Sequence, residues 1–301
     1  ILKKGGNAVD AAIAASAVQA VIEPNSTSLG GDCFALISLS GKKPISVNGS
    51  GISPQKNTMD FFESKKIKKI ENNSPHSVTV PGAVHSWHKM HQKFGKLNFG
   101  ELFITAENYA RNGFPIHEVV AKAWSENSEK LKGHPSTKSI FLKNNQSYQY
   151  GEIHRNENLA NTIKSIAKNG SKDFYQGYIA EDIVSTLNEL GGLHTMDDFS
   201  KQDTIFSDSI YCNYKGLNIH QCPPSGPGIT VLIMMKILEK FNFKNIHPLS
   251  SDRFHLQAEI SKIAYEEREV NVGDPKFNNL NYEELMDKKN INKLASKISM
   301  N

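Results

Sequence analysis

The sequence predicts an α+β fold, and three observations carry that expectation. Helical patterns come in blocks rather than in strict alternation with strands. Two pairs of short apolar strands each enclose a tight turn. No internal repeat and no clear linker divides the 301 residues. The first helix covers residues 7–22, and alanine dominates it between positions 8 and 20, so a neighbouring backbone can approach closely. Pro24 and the run Asn25-Ser26-Thr27-Ser28 then work against helix, and Gly30-Gly31 permits positive φ. Phe34-Ala35-Leu36-Ile37 reads as a short buried strand. A glycine loop between a buried helix and a buried strand is a place where backbone N–H groups can face a ligand.

The remaining elements follow in order. Strands are expected near 33–39 and 44–48, joined by the turn Ser40-Gly41-Lys42-Lys43. Residues 53–80 are polar and irregular, with a charged helix near 58–69. From Gly82 to Gly113 the pattern is helical, broken at Phe94-Gly95-Lys96. Pro115 is expected to start a helix that runs to about Lys132, and 133–155 reads as loop. Helices follow near 156–168 and 178–190, the second stopped by Gly191-Gly192. Strands near 204–212 and 217–221 suggest a second hairpin. Helices from about 228 to 240 and from Ser251 to Val270 complete the chain.

Composition narrows the function. The net charge is +4, and lysines concentrate at Lys65-Lys66, Lys68-Lys69 and Lys288-Lys289. These clusters lack interleaved aromatics, so nucleic-acid binding is not expected and solvated loops are. Hydrophobic content is 38%, on the low side, so part of the apolar face is expected to need another chain. Cys33, Cys212 and Cys222 form no C-x-x-C pair, which argues against zinc, and an odd count gives no disulfide framework. Cys212 and Cys222 flank the Lys215-Gly216 turn and read as two buried thiols. No apolar run is long enough to span a membrane, so no transmembrane segment is expected. The compartment stays open between cytoplasmic and periplasmic.

Some residues invite chemistry that their context does not support. His85, His88 and His91 recur every third residue on a helix, but nothing makes them an H-E-x-x-H site, and no metal is expected there. Pro223-Pro224-Ser225-Gly226-Pro227-Gly228 is not a G-x-S-x-G elbow and reads as a rigid strand-to-helix loop. Glu266, Glu267, Arg268 and Glu269 read as a solvated or subunit-facing surface. His220 and His255 have no partner that spacing identifies.

Gly5-Gly6-Asn7-Ala8-Val9-Asp10-Ala11-Ala12, followed by Leu29-Gly30-Gly31-Asp32, closely resembles the γ-glutamyltransferase family of N-terminal nucleophile hydrolases. Further blocks stand in the family's order. These are Thr79-Val80-Pro81-Gly82-Ala83-Val84, Ala106 to Phe114, Asn169 to Gly177, Pro223 to Gly228 and Gly273-Asp274-Pro275. The resemblance covers essentially all of residues 1–301. It implies a four-layer αββα sandwich, of which this chain is the large-subunit part, truncated at both ends, with sheets completed by a small subunit. It implies self-cleavage of a precursor and a nucleophilic threonine at the new N-terminus of that small subunit. No catalytic residue is therefore expected in this chain, and no cofactor. An N-terminal threonine carries its own base in the α-amino group, whose unperturbed pKa is about 7.7–8.0. The expected substrates are γ-glutamyl amides such as glutathione, or another small amide.

The resemblance also marks a departure. The family segment D-F-R-E-x-A-P matches Asn48-Gly49-Ser50-Gly51-Ile52-Ser53-Pro54, and its arginine, which binds the donor α-carboxylate, falls on Ser50. An arginine–carboxylate pair is bidentate and strong, whereas a serine offers one neutral hydrogen bond. Gly49 and Gly51 are expected to open the pocket wall, and Arg111 or Arg155 to be alternative guanidinium donors. The candidate substrate-binding residues are Ser50, Asn48, Gly49, Gly30, Gly31 and Asp32. The departure is similar to a divergent γ-glutamyltransferase-like and acylase branch. Besides γ-glutamyl chemistry it leaves open an acylase for a different amide and a non-catalytic binding relative.

Overall fold

The computed structural model describes residues 1–243 and 246–300. The chain forms two compact units, one of residues 1–33 and 49–204, the other of residues 34–48 and 205–301. Each unit is built from separated stretches of sequence, which is why no single linker marks a boundary. Mixed helix and sheet make the fold α+β.

The first unit is mainly helical. Its opening helix, Ala8–Ile22, starts with a capping box: the Asn7 side chain accepts from the backbone of Val9 and Asp10, and Asp10 Oδ2 accepts from the Asn7 N–H at 2.9 Å. Asp10 is fully buried and also accepts from the N–H groups of Lys96 and Leu97. Burial alone would raise its carboxyl pKa, but these N–H donors outweigh burial and hold it below the ordinary range. Ala14, Ala17 and Ala20 are buried and pack toward the helix Ile104–Asn112, whose Ala106 and Ala110 are also fully buried. Small residues on both faces give the close approach that the alanine run predicts.

Two expectations in this unit change. Pro115 starts no helix: it lies in the two-residue strand Phe114–Pro115, paired with Ile153–His154, and the next helix is Glu118–Glu126. Residues 133–155 are not all loop, because Pro135–Phe141 is helical, with Pro135 in its first turn and His134 Nδ1 accepting from the Ser136 N–H. His154 is buried among the rings of Phe114, Trp124, Phe141 and Tyr148.

The second unit holds a three-stranded sheet in the order Cys33–Ile37, Ile45–Gly49, Ile205–Asp208. The last two strands are antiparallel, with Val47 opposite Phe206 and Asn48 opposite Ile205. The expected strand 204–212 is thus two strands. Its first half joins this sheet. After Ser209, whose N–H donates to the Pro44 carbonyl, the chain turns into Ile210–Tyr214 and pairs with Leu217–Gln221. Lys215 and Gly216 both have positive φ, as a tight two-residue hairpin turn requires. Phe34 and Leu36 are exposed rather than buried, because they share one face of the strand and that face is open. The core of this unit joins the helices Gly228–Leu238, Ser251–Asn271 and Lys288–Ala295 through Ile229, Ile233, Ile237, Leu256, Ile260 and Leu294. Cys212 is buried opposite Ile219, whereas Cys222, expected to be buried, is half-buried and its Sγ donates to the Ala35 carbonyl.

Candidate functional site

Three backbone segments of the first unit converge. The loop Gly30–Asp32 supplies the Gly31 carbonyl, which accepts from the N–H groups of Gly82 and Ala83 at 3.0 and 2.9 Å. These lie at the start of the helix Ala83–Phe94, whose N-cap Gly82 has no side chain for the task, so the loop caps the helix. Asp32 is exposed, and its Oδ1 accepts from the Gly51 N–H at 3.1 Å. The Ile52 carbonyl accepts from the Val80 N–H at 2.9 Å.

Glycine is needed where these segments cross. A Cβ on Gly49 would overlap Ser86 Oγ, one on Gly51 the Val80 carbonyl oxygen, and one on Gly82 the Gly49 carbonyl oxygen. Gly49 and Gly51 therefore do not open the pocket wall: their missing side chains are replaced by tightly packed neighbours. Gly30 and Gly31 behave differently. Neither has positive φ, and a Cβ there would meet only Ser28 atoms at ordinary distance, 3.7 Å and 3.5 Å for the nearest. Packing among the described residues gives no reason for glycine at those two positions.

Side chains from sequence-distant segments fix the Ser50 region. Gln202, only 5% exposed, donates from Nε2 to the Ser50 carbonyl and accepts at Oε1 from the Ile52 N–H, both at 3.3 Å. Asp198 Oδ1 accepts from the Gln55 N–H at 3.0 Å, and its Oδ2 accepts from the Thr195 N–H and hydroxyl. Burial would raise the Asp198 carboxyl, but these donors hold it below the ordinary range. His194 Nε2 bonds the Val78 carbonyl at 2.8 Å. Tyr175 Oη donates to the Pro81 carbonyl at 2.7 Å and accepts from the His85 N–H at 3.1 Å. Burial pushes the Tyr175 phenol far up, so it stays a protonated donor.

The histidines of the helix Ala83–Phe94 have separate partners. His85 Nδ1 is 2.8 Å from Thr204 Oγ1, His88 Nδ1 is 2.9 Å from Ser171 Oγ, and His91 Nε2 is 2.8 Å from the Leu97 carbonyl. Burial lowers His85 and His88 below the ordinary histidine range. His85 and His88 line a cavity of about 200 Å³ with Ser171, Lys172, Tyr175, Gln176, Ser200 and Gln202. Arg111 bonds Glu107 Oε1 and Asn161 Oδ1, and Arg155 Nε donates to the Asn112 carbonyl. His220 bonds Ser209 Oγ, and His255 bonds the Ser299 carbonyl.

The structure thus joins Gly31, Asp32, Gly49 and Ser50 in one hydrogen-bonded and packed group. Gly30 lies exposed beside it in the loop, and Asn48 lies in the sheet of the second unit. Sequence reasoning missed Asp198 and Gln202. Thr195-x-x-Asp198 carries a capping-box signal, but nothing in the spacing says that Asp198 and Gln202 reach residues about 150 positions earlier.

The fold is that of the N-terminal nucleophile hydrolases. The gamma-glutamyltranspeptidase family model matches residues 1–301. The chain is 35% identical to the glutathione hydrolase-like YwrD proenzyme of Bacillus subtilis over 99% of this chain and 57% of that protein. Its structure superposes on gamma-glutamyltranspeptidase of Helicobacter pylori with a TM-score of 0.92 at 28% identity, covering 99% of this chain and 87% of that one. It also superposes on cephalosporin acylase of Bacillus halodurans with a TM-score of 0.93 at 29% identity, covering 99% and 56%. The chain belongs to the gamma-glutamyltranspeptidase family, a family of enzymes. It spans about half the length of the curated relatives it matches, several of which are named as proenzymes.

Proposed function

We propose that this chain is the large-subunit part of a self-processing γ-glutamyl hydrolase or transferase. In this reading the rest of the precursor supplies the N-terminal threonine nucleophile, and this chain shapes the acyl pocket. The carrying observation is the crossing of Gly30–Asp32, Gly49–Ile52 and Val80–Gly82 in the first unit. It sets Ser50, at the position of the family's arginine, on a backbone held by Asp32 and Gln202. Gly30 and Gly31 support the same reading, because glycines that this chain's own packing does not require suit close approach by another group. The open Phe34 and Leu36 face suits a sheet that packs against a further chain.

A second reading is an acylase for an amide other than γ-glutamyl. Ser50 lacks a charge for a carboxylate, and the guanidinium groups of Arg111 and Arg155 are engaged elsewhere. One experiment separates the two. The full-length gene product is expressed, and its mass and new N-terminus are read; two chains, the smaller beginning with threonine, are expected. Turnover of γ-glutamyl-p-nitroanilide is then compared between wild type and Ser50→Arg. The first reading expects wild-type turnover. The second expects little, with a gain of about tenfold or more on restoring the guanidinium. A single uncut chain that turns over neither γ-glutamyl nor other acyl anilides would refute both.

A further inference from the structure

We infer that Gln202 is a positioning residue that sets the acyl-recognition segment around Ser50, and so tunes acyl-donor binding; this rests on the functional reading above. The segment from Gly49 to Ile52 leaves its strand at Gly49 and contains two glycines, so local backbone preference alone does not hold its shape. Among the described hydrogen bonds, the Ser50 carbonyl and the Gly51 and Ile52 N–H groups reach side chains, while the Ile52 carbonyl accepts from the Val80 N–H. Gln202 spans the segment in a two-point clamp: Nε2 to the Ser50 carbonyl, Oε1 to the Ile52 N–H. The Gly51 N–H between them goes to Asp32. Gln202 Nε2 also donates to the Asp203 carbonyl at 3.1 Å, which fixes the amide orientation: the nitrogen faces two carbonyl oxygens and the oxygen faces an N–H. A carboxamide is the side chain that meets this pattern. A carboxylate would face the Ser50 and Asp203 oxygens without a donor, and an apolar side chain would take the Gln202 partner away from all three groups, two of them on half-buried residues.

The clamp acts on the carbonyl of Ser50, the residue whose side chain stands where the family's arginine does. Loosening it disorders the acyl pocket without touching the nucleophile, which makes its signature a change in donor KM rather than in kcat. Gln202→Glu adds a readout that a merely structural role would not move. Deprotonated, it repels the two carbonyls; protonated, its O–H restores the donor to Ser50.

The experiment uses the full-length processed enzyme and the amide donor that wild type turns over, with hydrogen exchange read on the peptide containing Gly51 and Ile52. Gln202→Leu is expected to raise KM about tenfold while kcat stays within about threefold, and to speed exchange in that peptide. Gln202→Glu is expected to show the same KM defect at neutral pH and to approach wild type as pH falls, compared with wild type at each pH. Should Gln202→Leu fail to fold, the pH rescue of Gln202→Glu alone decides. Wild-type turnover with KM within about twofold in both variants, or a Gln202→Glu defect that ignores pH, overturns this role and leaves the functional reading intact. A wild type that turns over no amide donor refutes the functional reading, and the inference with it.

Discussion

Replacing His154 with phenylalanine should abolish a specific part of the protein's sensitivity to acid. His154 is 2% exposed, ringed by Phe114, Trp124, Phe141 and Tyr148, and its Nδ1 has no hydrogen-bond partner among the described residues. Burial pushes it from the ordinary histidine value of 6.5 down to about 4. The native state therefore refuses a proton that the unfolded chain accepts. Above the unfolded value both states are neutral and stability is unaffected. As pH falls through 6.5, the unfolded state gains protons first and stability drops; below about 4 both states are protonated and the loss levels off. A depression of that size corresponds to about 3 kcal/mol in total, of which about 2 kcal/mol is lost by about pH 5. Phenylalanine fills the same ring of aromatics and does not titrate, at a packing cost of about 1 kcal/mol that does not vary with pH. Urea unfolding, followed by tryptophan fluorescence, would be run on wild type and His154→Phe from about pH 7.5 to about pH 4. Trp124 reports locally, with its ring 5.0 Å from His154. Acidic groups such as Asp10 and Asp198 are common to both proteins and cancel in the difference. That difference should shift toward the variant by about 3 kcal/mol across the range. Parallel curves, differing by a constant, would refute the reasoning, because His154 would then titrate alike in both states.

Asp10→Ala should cost about 3 kcal/mol or more, since it strands the N–H groups of Asn7, Lys96 and Leu97 in a buried site; a thermal melt lowered by less than about 1 kcal/mol would show that water replaces the carboxylate. Gly51→Ala and Gly30→Ala should separate packing from function. The first drives a methyl into the Val80 carbonyl and should cost about 2 kcal/mol or more, whereas the second meets Ser28 Oγ at 3.7 Å and should leave stability within about 0.5 kcal/mol. Amide turnover by the Gly30→Ala enzyme should nonetheless fall, and full activity in that variant would remove the loop from the site.

Local signals carried much of this fold. The Asn7–Asp10 capping box, the alanine run behind it, the turn at Lys215-Gly216 and the stop at Gly191 are each decided by residues within a few positions. Errors fell where a distant partner decides. Pro115 is strand because Ile153 lies opposite it, and Ile205–Asp208 leaves its expected hairpin because Ile45–Gly49 offers an edge. The run Phe34-Ala35-Leu36-Ile37 could not reveal that Phe34 and Leu36 share an open face, since an apolar run reads the same whether one face or two is covered.

The candidate site divides along the same line, and its glycines show how. On sequence alone, Gly30 and Gly31 are expected in a loop near the active site, and Gly49 and Gly51 are expected to open the pocket wall. Space divides them into two kinds. Gly49 and Gly51 are fixed by Ser86 and by the Val80 backbone, so their identity follows from how this chain packs on itself. Gly30 and Gly31 meet no such constraint among the described residues. Gln202 completes the contrast. It bears no motif and sits about 150 positions from the segment it bonds, yet it reaches the Ser50 carbonyl and the Ile52 N–H on either side of Gly51. A stretch that carries glycines for close crossing has its rigidity supplied from elsewhere in the chain, here by Asp32, Gln202 and the Val80 backbone. That supply is visible in a contact map and not in a motif.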